Sequence, residues 1–65
     1  MKIMVNGDGR EVEAVRLDAV LEELGYGTEK VATAVNETFV PKTLRGEITL
    51  EAGDRLEIVA PRQGG

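Results

Sequence analysis

Hydrophobic and polar positions alternate at both ends of this chain and change period once, in the middle. Residues 2–6 place Ile3 and Val5 on one side and Lys2, Met4 and Asn6 on the other, the period of two of a half-buried strand. Asn6-Gly7-Asp8-Gly9 follows, dense in residues that tolerate the positive φ of tight hairpins. Residues 10–15 alternate again, charges outward with Val12 and Ala14 inward, so the opening predicts a β-hairpin. Leu17, Val20, Leu21 and Leu24 then stand at i, i+3, i+4 and i+7, one face of a helix over 17–24. Asp18 falls in its first turn, where a carboxylate favours the positive end of the dipole or caps a free N–H, and Glu22 and Glu23 point outward. Gly25 stands where a left-handed residue ends such a helix.

Residues 31–35 are rich in β-branched side chains and run into an Asn36-Glu37 turn and an extended 38–40, which Pro41 ends because it has no N–H to donate. Both alternations of 31–35 are apolar, so the pattern leaves the buried face of that strand open. Leu44, Ile48 and Leu50 lie in a stretch without regular period and are expected to plug the open side of the core. A turn at 52–54 leads to a last strand over 55–60, with Leu56 and Ile58 inward. The order predicts an α+β fold: a mixed sheet of four to five strands with one helix packed across one face. If the first and last strands are parallel neighbours in the middle, with the helix in the crossover, the arrangement is a β-grasp. The expected organisation is one domain over 1–60 and a flexible C-terminal tail over 61–65.

Composition narrows the chemistry. Sixty-five residues make one small domain, and without cysteine or histidine there are no disulfides, thiol nucleophiles, imidazole bases or zinc sites of the usual ligand types. Twelve acidic against eight basic residues give a net charge of −4, with no basic face of the kind phosphate backbones require. The start is too quickly polar for a signal peptide, and no apolar run has the length of a membrane span. The expectation is a cytoplasmic protein, monomeric when free, that binds neither nucleic acid nor membrane and holds no metal or cofactor.

An enzyme reading fails on the same grounds. The hydroxyls, Tyr26 and the threonines at 28, 33, 38, 43 and 49, have no histidine to activate them. Glu22 and Glu23 read as a solvated helix face. Asn6-Gly7-Asp8-Gly9 lacks both the further spaced ligands of a calcium loop and the lysine-serine ending of a phosphate loop. What remains is 61–65: Pro61 stops pairing, and Gly64-Gly65, with no Cβ, can thread a narrow channel. Read as a free end, Gly65 presents an α-carboxyl of ordinary pKa about 3.3–3.7, an anion at neutral pH. Such an oxygen can attack the α-phosphate of ATP, provided a partner holds the nucleotide and magnesium.

Three segments in order, Ala34-Val35-Asn36-Glu37-Thr38-Phe39-Val40-Pro41, then Leu50-Glu51-Ala52-Gly53-Asp54-Arg55-Leu56-Glu57-Ile58-Val59, then Gly64-Gly65, resemble the ThiS family of sulfur carriers, over essentially the whole chain. The resemblance implies a ubiquitin-like β-grasp and no catalysis by the chain itself. It implies adenylation of Gly65 by a ThiF-type, E1-like enzyme, conversion to a thiocarboxylate with sulfur from a cysteine desulfurase or rhodanese, and delivery to thiazole synthase for thiamine biosynthesis. Gly64, Gln63 and Arg62 would thread the partner's active site. Family members often carry an aliphatic residue or a third glycine before the terminal pair, where this chain has Pro61-Arg62-Gln63. The alternatives are a MoaD-type carrier for molybdopterin synthesis, whose members tend to be longer, and a ubiquitin-like modifier of lysines. An RNA-binding β-grasp is disfavoured by the acidic balance. A carrier without a site of its own needs a recognisable face, and Met4 and Val59, with Phe39 or Val40 nearby, are expected to form an apolar docking patch on the side of the sheet away from the helix.

Overall fold

The computed structural model describes residues 1–27 and 29–60. Strands β1 (Lys2–Val5) and β2 (Asp8–Glu11) are followed by helix α1 (Leu17–Glu23), strands β3 (Ala32–Val35) and β4 (Thr38–Val40), a 3₁₀ helix (Lys42–Glu47) and strand β5 (Arg55–Val59). One sheet holds all five strands in the order β2-β1-β5-β3-β4. β5 runs parallel to β1 and antiparallel to β3. The first and last strands are therefore central neighbours, joined through a helical crossover, as the β-grasp expectation requires.

Both hairpins turn on two residues. Asn6 (φ 50°) and Gly7 (φ 88°) link Val5 to its partner Asp8, and Asn36 (φ 49°) and Glu37 (φ 73°) link Val35 to Thr38. Two positive φ values in succession match the right-handed twist of the flanking strands. Because Asn6-Gly7 completes the first turn alone, Asp8 and Gly9 join the ladder, and β2 spans Asp8–Glu11 where 10–15 was expected. Val12, just beyond β2, is buried, and Ala14 is half-buried.

Helix α1 buries Leu17, Val20 and Leu21. Its first amide, that of Leu17, donates to the Ile48 carbonyl at 2.8 Å, and the Ala19 amide donates to Asp18 Oδ1 at 2.7 Å. The helix ends in a Schellman motif: Gly25 (φ 95°) donates to the Glu22 carbonyl and Tyr26 to the Leu21 carbonyl. The core joins these helix residues to Ile3 and Val5 of β1, Leu56 and Ile58 of β5, Val40 of β4, and Val12 and Leu50.

The face of β3 that the pattern left open is now fixed: Thr33 is buried, its hydroxyl donating to the Val40 carbonyl at 2.9 Å and accepting from Arg45 Nε at 3.2 Å. The stretch after Pro41 departs from expectation. It forms a 3₁₀ helix in which Leu44 is 44% exposed, so Leu44 plugs nothing. Arg45 ties this helix to β3 instead, also donating through Nη2 to the Val31 carbonyl. Leu50 is buried as expected and Ile48 partly so, because 48–50 pairs with 15–17: Leu50 donates to the Val15 carbonyl at 2.7 Å and Arg16 bridges Thr49.

Candidate functional site

Strand alternation divides the sheet into two faces. Ile3, Val5, Thr33, Val40, Leu56 and Ile58 face the helix and are buried. Their neighbours in sequence face the other way, and among these Phe39 is 64% and Val59 62% exposed. Register places them: Val59 is opposite Ala32, and Ala34 lies between Glu57 on one side and Phe39 on the other. Phe39 and Val59 thus stand diagonally across a floor made by Ala32 and Ala34 of β3. Val40 points into the core, which leaves Phe39 as the β4 contribution.

Met4 occupies a different part of this face. It is half-buried and pairs with Gly9 and Arg55. Arg55 lies four residues before Val59, about 13 Å along the strand at 3.3 Å per residue. Glu57 stands between them on the same face. The structure brings Phe39 and Val59 together with two alanines that the sequence reading did not name, places Glu57 in the same row as Ala34 and Phe39, and sets Met4 apart beside Arg55. The alanines escaped notice because the orientation of β3 was undetermined; once Thr33 is known to face inward, Ala32 and Ala34 must face outward.

Arg62, Gln63, Gly64 and Gly65 lie outside the described residues. The last described residue, Ala60, follows directly on β5, so 61–65 departs from the end of the central strand nearest Val59. At most about 3.6 Å per residue, those five residues span no more than about 18 Å.

The carboxylates of the helix are exposed, and two are engaged. Glu23 accepts from the Glu13 amide at 3.0 Å and the Ala14 amide at 3.0 Å, and these backbone donors hold its carboxyl below the ordinary range. Asp18 is held low by Arg16, whose Nε donates to Oδ1 at 2.6 Å. Glu23 therefore fixes the segment after β2 to the helix and is not merely solvated. Among the described residues no group of three acidic side chains could hold a metal ion, and no helix is long and apolar enough to cross a membrane.

Comparison with known proteins gives a consistent picture. The model of the ThiS family matches residues 3–65. The chain is 36% identical over 63 residues to the sulfur carrier protein ThiS of Thermus thermophilus, covering 97% of this chain and 98% of that one. It is 41% identical over 66 residues to a thiazole synthase of Paramagnetospirillum magneticum and 37% over 60 residues to one of Magnetococcus marinus. The match takes in 100% and 91% of this chain but only 20% and 18% of those two proteins, so the chain spans about a fifth of their length. Its fold superimposes on the crystal structure of a thiamine biosynthesis protein (ThiS) from Geobacter metallireducens with a TM-score of 0.83, over 100% of both chains at 23% identity.

Proposed function

The chain belongs to the ThiS family, and from that premise we propose that it is a sulfur carrier of thiamine biosynthesis whose reacting group is the carboxylate of Gly65. The observation that carries this reading is the end-to-end match to a sulfur carrier protein, 97% of one chain on 98% of the other. In the proposed cycle a Gly65 carboxylate oxygen attacks the α-phosphate of ATP on an E1-like, ThiF-type enzyme, and pyrophosphate leaves. The outer sulfur of a persulfide on a cysteine desulfurase or rhodanese relay then attacks the acyl carbon and AMP leaves, giving an acyl disulfide. A thiolate attacks the donor's sulfur of that S–S bond, a new disulfide forms between the two thiols, and the end is released as a thiocarboxylate. ATP and magnesium belong to the activating enzyme. The chain is a substrate and a docking surface, not a catalyst.

Two features support the partners. The Phe39–Val59 side of the sheet offers exposed apolar area beside the root of 61–65, so a partner seated there has the reacting end within its reach. Two relatives named thiazole synthase carry a segment similar to this chain within a longer polypeptide. Tethering of that kind raises the effective concentration of two domains that act on one another. It supports thiazole synthase as the acceptor of the sulfur.

The test is intact-mass spectrometry of the chain after incubation with ATP, an activating enzyme and a sulfur donor. The expected result is replacement of one oxygen by sulfur, abolished by deletion of Gly65. No change of mass with competent activating enzymes would overturn the proposal, and ladders of conjugates on lysines would favour a modifier.

A further inference from the structure

The two turn asparagines do more than turn the chain. β1 is paired with β5 only through Met4 and Val5 before it swings away at Asn6. Beyond that point the inner edge of β5 would have no backbone to pair with. Asn6 supplies one from its side chain. Its amide N–H donates to the Leu56 carbonyl at 2.9 Å, its Oδ1 accepts from the Ile58 N–H at 2.8 Å, and its Nδ2 donates to the Ile58 carbonyl at 3.1 Å. Opposite demands from one N–H and one C=O fix the orientation of the carboxamide. The side chain acts as one more peptide unit of β1, 52 residues away in sequence from the group it holds.

Asn36 does the matching thing at the other end of the same strand. Its amide N–H donates to the Arg55 carbonyl at 2.8 Å, its Oδ1 accepts from the Arg55 N–H at 2.9 Å, and its Nδ2 donates to Asp54 Oδ1 at 3.1 Å. Each asparagine is the first residue of a two-residue turn with positive φ, yet Asn36 secures the start of β5 and Asn6 secures its last stretch.

We infer that Asn6 is a positioning residue for the reacting end: by holding Ile58 it fixes the point at which 61–65 leaves the sheet. The inference rests on the carrier reading given above and says which side chain sets the root of that end. If Asn6 lets go, β5 keeps only its β3 partner beyond Leu56. The β3 ladder still reaches Val59 opposite Ala32, but with its other edge unsecured this strand end frays back towards Leu56. In the frayed state the chain between paired sheet and Gly65 grows from about five residues towards eight or nine. Presentation of an end falls with roughly the −3/2 power of that length, a two- to threefold loss.

Asn6→Gly and Asn36→Gly make a matched pair, since glycine keeps the positive φ of each turn and removes only the side-chain bridge. Hydrogen exchange should quicken at the Ile58 amide in N6G and at the Arg55 amide in N36G, which tests the bridges without any partner enzyme. ATP–pyrophosphate exchange on the activating enzyme should show kcat down about two- to threefold for N6G with the KM for the carrier unchanged, and both parameters unchanged for N36G. Asn6→Asp, which keeps the acceptor for Ile58 N–H but loses the donor, should fall between N6G and the unaltered chain. Equal kcat for N6G and the unaltered chain, or an equal fall in N36G, overturns the role given to Asn6. Failure of the unaltered chain to support exchange at all overturns the carrier reading and this role with it, while the Ile58 amide still reports whether the bridge exists.

Discussion

The two faces of the sheet are built from the same strands and answer to different demands. On β5, Leu56 and Ile58 are buried against the helix, while Arg55, Glu57 and Val59, alternating with them, are exposed. On β4, Val40 is buried and Phe39 is not. A shift of one residue in register would exchange the two sets, so the apolar inner face specifies the pairing and thereby decides where Phe39 and Val59 appear outside. The inner face makes the fold, and the outer face is left free to be recognised.

The sharpest way to break this contrast is to damage each face separately. Leu56→Ala should cost about 2–5 kcal/mol of unfolding free energy, because it leaves a cavity in the middle of the core. Denaturant titration measures this, and a loss below about 1 kcal/mol would mean that the inner face is more forgiving than its burial implies. Phe39→Glu with Val59→Glu should do the reverse. Surface substitutions of this kind stay within about 0.5 kcal/mol of the parent in stability. Loss of two apolar anchors at about 1–2 kcal/mol each should still raise the KM for the carrier in exchange assays by roughly tenfold or more. Met4→Glu, set apart beside Arg55, should change that KM by less than the pair does. An equal effect would extend the docking surface along the whole of β5.

Smaller effects sharpen the distinction. Thr33 is a polar group on the inner face, and Thr33→Val removes a hydroxyl that serves both Val40 and Arg45; about 1 kcal/mol of stability should be lost. Glu23 is the converse, an exposed side chain with a structural task. Its folded-state pKa is depressed, so its contribution is present above the unfolded carboxylate pKa and disappears as pH falls through the folded value. Glu23→Gln should therefore be less stable than the parent at neutral pH, with the two converging in acid. Parallel stability curves down to pH 3 would remove Glu23 from the account.

Most of the fold is legible locally. Asn6-Gly7 and Asn36-Glu37 announce their hairpins, Leu17 to Leu24 announce the helix, and Gly25 ends it as the pattern says. The failures share a cause: they depend on contacts remote in sequence. Nothing near Thr33 reveals that a carbonyl on β4 and Arg45 will satisfy its hydroxyl, so the orientation of β3 was hidden, and with it the alanine floor of the outer patch. Alternation assigns Met4 to a face but says nothing of the parallel register that puts it opposite Arg55, far from Val59. Leu44 looked like core because it is apolar, whereas its neighbour Arg45 makes the inward contacts. Of the site residues, Phe39 and Val59 could be read directly, while Arg62, Gln63, Gly64 and Gly65 rest on the family match and the chemistry of a glycine carboxylate.

The strand order carries a last consequence, for biosynthesis. Without β5 the sheet β2-β1-β5-β3-β4 falls into two separate hairpins, each marginal in water. A nascent chain that has not yet emerged from the ribosome as far as Val59 has no continuous sheet to complete. Folding must wait for β5, and a product broken off before it has neither the continuous sheet nor the Phe39–Val59 face. Residues 61–65 are therefore already synthesised when β5 clears the ribosome and the sheet closes.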